Sequence, residues 1–75
     1  MPGHTYKVIE LVGTSEVGVT EAIKSAVDRA AETLKGLDWF EVTNIRGRID
    51  DQQVHWFQVD LKVGFRVMSP EELRG

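Results

Sequence analysis

Few residues in this chain carry chemistry beyond packing, and most of them fall in two stretches. Trp39 lies next to Phe40 and two positions from Glu41, and Gln58 lies between Trp56 and Asp60 in a long alternating run. An indole is a broad π-surface with little conformational entropy to lose. Trp39 is therefore either the anchor of a subunit interface or a platform on which a flat ring stacks. A glutamine amide carries a donor beside an acceptor, which suits an imide-like edge; the plainer reading of Gln58 is a solvated strand residue. Arg46 and Arg48 offer guanidinium groups to a phosphate or, as the commoner case, to acidic neighbours in a surface network.

Catalysis finds no such footing. The few Ser, Thr and His residues form no nucleophile–base set, no carboxylate pair has a reason to split its pKa values, and His4 and His55 are isolated. The chain is therefore read as a binding protein and not an enzyme, with no metal site. One near-match stands in Gly13 to Thr20, which approaches the phosphate-cradling pattern G-x-x-x-x-G-K-[ST]. Val19 occupies the lysine position and the chain is too short for the parallel sheet that loop requires, so the stretch reads as a strand-to-helix turn.

The elements that must position these residues are legible from periodicity. Val54 to Met68 alternates strictly: His55, Phe57, Val59, Leu61, Val63, Phe65 and Val67 make one apolar face, and Trp56, Gln58, Asp60, Lys62 and Arg66 populate the other. A strand this long in so small a protein is expected to be the spine of its sheet. His4 to Val12 reads as a first strand, apolar on both faces: Tyr6, Val8 and Val12 lie opposite Ile9 and Leu11. One face is expected to be covered by the chain's own helix and the other by a second subunit. Val19, Ala22, Ile23, Ala26, Val27, Ala30, Ala31 and Leu34 follow helical spacing, with Thr14 or Ser15 as N-cap and Gly36 as the left-handed stop. Lys24–Asp28 and Glu32–Lys35 are spaced to pair across its solvated face.

Leu37 to Ile49 reads as a second strand whose apolar phase slips after Val42, so that a bulge or bend is expected near Asn44 or Gly47. Asp50 to Gln53 is a polar turn into the spine strand. Ser69-Pro70-Glu71-Glu72 has a helix-start pattern. The expectation is an α+β fold, β-α-β-β, with a three-stranded antiparallel sheet in the order 1-3-2 packed on one helix. One helix covers one face of that sheet, and Trp39, Trp56 and Gln58 lie on the other.

Seventy-five residues make one domain, 1–75. Chains this small are commonly supported by disulfides, metals or oligomerisation; with no cysteine and two separated histidines, self-association is the support that remains. A net charge of −3 argues against a general nucleic-acid binder. No apolar run approaches a membrane span, and the opening MPGHTYK lacks a signal-peptide core, so a cytoplasmic protein without membrane contact is expected.

Val8-Ile9-Glu10-Leu11-Val12-Gly13-Thr14-Ser15, Leu37-Asp38-Trp39-Phe40-Glu41-Val42, Ile45-Arg46-Gly47 and Phe57-Gln58-Val59 with Val63-Gly64-Phe65-Arg66 together resemble the dodecins, in order and spacing, from Tyr6 to Val67. The resemblance implies a small flavin-binding protein of β-α-β-β fold that assembles into a hollow sphere of twelve subunits and stores or buffers flavin. It implies that Trp39 matches the tryptophan between which, from two subunits, flavins stack in antiparallel pairs. Gln58 matches the glutamine that bonds the pyrimidine edge. Arg46 matches the arginine of the bacterial branch, which favours FMN, whereas the halophilic archaeal branch prefers riboflavin-like ligands. Coenzyme A is a further ligand of bacterial members, with Arg29 and Arg66 as counterparts of their basic residues. Trp56 has no counterpart role, and the tail after Val67 lies outside the resemblance. The competing reading is a structural oligomer whose aromatic face is an interface alone.

Overall fold

The computed structural model describes residues 3–69. Four elements follow one another: β1 (Tyr6–Ser15), α1 (Val19–Ala31), β2 (Leu37–Asp50) and β3 (Gln53–Arg66). The three strands form one antiparallel sheet in the order β1-β3-β2, with the last strand in the middle. That is the architecture expected from the alternation, and β3 is its spine.

The helix lies on the face made by the odd residues of β3. Val59, Leu61 and Val63 are almost fully buried there, against Ala22 and Ala26 of α1. Small residues on the helix stripe let it come close to the sheet. Gly13 shows how close: a Cβ at that position would run into the Ala22 backbone and the Ala26 side chain. Ile9, Leu11, Val19, Ile23, Val27, Leu37 and Val42 border this core half-buried.

Several boundaries differ from the sequence expectation. β1 continues through Gly13, Thr14 and Ser15, because β3 extends far enough to pair them with Val59, Gln58 and Phe57. The pairing overrides the turn tendency of Gly-Thr-Ser, so Gly13 belongs to a strand and not to a phosphate-cradling loop. The helix N-cap is Gly18, with no side-chain cap bond; the Ser15 hydroxyl instead accepts from the Val17 amide at 2.9 Å. The helix ends at Ala31, one turn before Leu34, and Gly36 takes its positive φ (79°) at the start of β2, where its carbonyl accepts from the Arg66 amide at 3.0 Å. β3 ends at Arg66, two residues short of Met68. The only helix-face pair present among the described residues is Arg29–Glu32 at 3.7 Å, well exposed. The helix-start pattern after Ser69 lies outside the described residues.

β2 and β3 form a hairpin closed by Asp51 and Gln52, both at positive φ (54° and 66°), the signature of a type I′ turn that matches the strands' twist. The hairpin outruns the helix. Phe40, Ile45, Ile49 and Val54 stay exposed, and Ile49 retains 72% of its surface. The molecule measures 55 × 20 × 14 Å with a radius of gyration of 15.5 Å, against roughly 11 Å for a compact chain of this length. Such an elongated form leaves much apolar surface in water, as a subunit awaiting neighbours does.

Candidate functional site

The sheet face away from the helix carries Trp39, Arg46, Arg48, Trp56 and Gln58. β1 contributes Tyr6, Val8, Glu10, Val12 and Thr14, cross-strand from Arg66, Gly64, Lys62, Asp60 and Gln58 of β3. β2 contributes Trp39, Glu41, Asn44, Arg46 and Arg48, opposite Gly64, Lys62, Asp60, Gln58 and Trp56. The face thus reads in rows, from Val8–Gly64–Trp39 at one end to Thr14–Gln58–Arg46 near the other.

Two bulges decide which β2 side chains reach this face. The register slips between Leu37 and Trp39, so Asp38 is the extra residue, and again between Val42 and Asn44, where Thr43 is extra. A bulge inverts the alternation beyond it. Without the second one, Asn44, Arg46 and Arg48 would point towards the helix side and Ile45 outwards. With it, Ile45 lies across from Val59 of the core, and Arg46 lies across from Gln58. The slip expected near Asn44 is present, and it is what places Arg46 beside the glutamine. Thr43 secures the spot: its hydroxyl donates to the Asp60 carbonyl at 3.1 Å.

Trp39 is 41% exposed, and its indole lies over Gly64. Any side chain at 64 would occupy the space of the ring, so this glycine is the seat of the tryptophan. At the neighbouring bulge, the Tyr6 hydroxyl donates to Asp38 Oδ2 at 2.7 Å and ties the free edge of β1 to that of β2. This bond, helped by the negative charge of Asp38, pushes the Tyr6 phenol up from its ordinary value.

Gln58 and Arg46 meet around a carboxylate. Gln58 Nε2 donates to Asp60 Oδ1 at 3.4 Å, and Arg46 Nη2 donates to Asp60 Oδ2 at 3.3 Å. Trp56 and Arg48 form the next row, and Trp56 lines an open recess of about 460 Å³ with Thr14, Ser15 and Glu16. The structure therefore brings Gln58 and Arg46 together but sets Trp39 apart. Gly64 and Gln58 are six residues apart on β3, roughly 20 Å at strand rise, so the indole and the amide–guanidinium pair stand apart within one chain. Arg29 and Arg66 line different recesses: Arg29 lies near Ile9 and Leu11, and Arg66 beside Lys7 and Lys35. Gly64 and Asp60 gained no role from the sequence. The signal for the first was the one glycine of the spine strand, and for the second its two-residue spacing from Gln58.

No group of three or more His, Cys, Asp or Glu residues able to hold a metal occurs among the described residues, and no described helix is long and apolar enough to cross a membrane. The fold is that of a small β-α-β-β subunit with an uncovered aromatic and polar sheet face. Residues 5–68 match the family model described as Dodecin, and the chain is 55% identical over 65 residues to the dodecin of Thermus thermophilus, covering 87% of this chain and 94% of that one. The solved dodecin of Streptomyces coelicolor is 56% identical, with a TM-score of 0.85 over 92% of this chain and 99% of that one. A more distant structure is the calcium dodecin of Mycobacterium tuberculosis, with a calcium-binding site, at 29% identity and a TM-score of 0.74 over 88% of this chain and 93% of that one. The chain belongs to the dodecin family of small dodecameric flavin-binding proteins, which bind and do not catalyse.

Proposed function

We propose that residues 1–75 form one dodecin-like domain that binds FMN or riboflavin in stacked pairs between subunits of a hollow dodecamer, and that it stores and buffers flavin in the cytoplasm. The observation that carries this reading is the split of the open face. An exposed indole seated on glycine stands at one end and an amide–guanidinium pair stands about 20 Å away, so a ring stacked on Trp39 meets Gln58 only across a subunit boundary. In that role Trp39 stacks on the isoalloxazine, Gln58 bonds its pyrimidine edge and Arg46 attracts the phosphate. The recess of Lys7, Lys35 and Arg66 is basic enough to favour a second, phosphate-bearing ligand such as coenzyme A.

The test is direct. Purified protein is expected to be yellow, to scatter light as a particle far larger than one chain, and to quench free flavin emission on titration through electron transfer from the stacked indole. Chromatography of the released ligand identifies the flavin. A large particle that leaves flavin emission unchanged would reduce the aromatic face to an interface alone.

A further inference from the structure

Asp60 joins Gln58 to Arg46 at the glutamine half-site, and the flavin reading gives it no task. It projects from β3 two residues beyond Gln58, on the same face, and its two oxygens point at different partners: Oδ1 accepts from Gln58 and Oδ2 from Arg46. The carboxylate is three-quarters covered, with 27% of its side chain exposed, whereas Arg46 is 56% exposed. Two consequences follow from the chemistry of these groups. With one Nε2 hydrogen given to Asp60, the Gln58 amide is held in one of its two flips, and Oε1 with the remaining N–H is left as an acceptor–donor pair for an incoming edge. The Arg46 guanidinium, meanwhile, is turned towards an anion of its own chain, so part of its charge is spent before any phosphate arrives.

We infer that Asp60 is the positioning residue of this half-site, fixing the amide of Gln58 and restraining Arg46, so that the preference for FMN over riboflavin is smaller than Arg46 alone would give. This rests on the flavin-binding reading above. A ligand with an uncharged ribityl tail keeps the amide contact and loses little, because the phosphate has to compete with Asp60 for the guanidinium.

The experiment measures dissociation constants for FMN and for riboflavin by fluorescence quenching on four assembled proteins: wild type, Asp60→Asn, Arg46→Gln and the double variant. Asp60→Asn keeps the shape and an acceptor for Gln58 but cancels the charge. It is expected to raise the FMN-to-riboflavin affinity ratio about two- to fivefold, the scale of a partly exposed ion pair. In the Arg46→Gln background the same change is expected to leave the ratio where Arg46→Gln put it. A companion Asp60→Ala, which frees the amide too, is expected to weaken riboflavin as well. An unchanged ratio in Asp60→Asn overturns the inference. So does an equal rise with Arg46 absent, which would make Asp60 a bare repulsive charge, and so does an Asp60→Asn protein that no longer assembles, which would make its role structural. Binding of neither flavin by the wild type overturns the flavin reading itself, a result distinct from flavin binding with an unmoved ratio.

Discussion

The two ends of the open sheet face solve different problems. At the Trp39 end the chain presents area: an indole laid on a glycine, in the row of Val8. At the Gln58 end it presents direction: an amide and a guanidinium oriented by one carboxylate. Stacking rewards area and tolerates small shifts, whereas hydrogen bonds reward position. In the proposed reading each chain makes one half of each kind and relies on a neighbour for the complement, which ties ligand affinity to assembly.

That contrast sets the order of expected effects. Trp39→Ala is expected to weaken flavin binding most, by about 1–3 kcal/mol, because it removes both the stacking area and a wall of the site. Equal losses from Trp39→Ala and Gln58→Ala, measured by quenching titration, would contradict a stacking-dominated site. Gly64→Ala should reproduce much of the Trp39→Ala loss without touching the indole itself, since the added methyl takes the ring's place on the sheet. Near-ultraviolet circular dichroism would report the displaced tryptophan, and an unaltered spectrum with full affinity would remove the glycine seat from the account.

Gln58→Ala is expected to lose less, on the order of 1 kcal/mol, as one net hydrogen bond to the ring edge disappears. A mixing experiment sharpens the same comparison. Trp39→Ala and Gln58→Ala subunits, each poor alone, are refolded together, and a fraction of strong sites should reappear because one chain supplies the indole and another the amide. If the mixture binds no better than its parents, both groups of a site come from one chain.

The smallest expected effect lies at the Tyr6–Asp38 bond. Tyr6 is raised in the folded protein, so the native state holds that proton longer than the unfolded chain does. Its contribution is whole below the ordinary phenol value of about 10 and fades as pH climbs through the raised value. Thermal unfolding of Tyr6→Phe should therefore fall slightly below wild type at pH 8 and converge with it in strong alkali. A constant offset across that range would place the stabilisation elsewhere.

Much of this was legible in the chain itself. The strict alternation from Val54 onwards marks a spine strand with one wet and one dry face, and the alanine-rich stripe of the helix marks a close-packed partner for it. The order of elements, with only one helix to cover one face, leaves Trp39 and Gln58 on the uncovered side. Strand and helix ends were less legible. Gly13-Thr14-Ser15 has turn composition, yet pairing with β3 holds it extended, and local preference is weaker than a ladder of backbone bonds. The helix similarly stops before its apolar spacing does.

What the sequence determined by itself, then, is the periodicity: two faces, three strands, one helix, and the residue types offered to a ring, an edge and a phosphate. What only the tertiary structure decided is the register. The extra residues Asp38 and Thr43 set which β2 side chains look outward, placing Trp39 over Gly64 and turning Arg46 to Gln58 and Asp60. A single-residue slip between strands carries no signature in composition, because it is fixed by the sum of pairings along the whole sheet. The distance between the indole and the amide follows from that register together with the strand rise between Gly64 and Gln58.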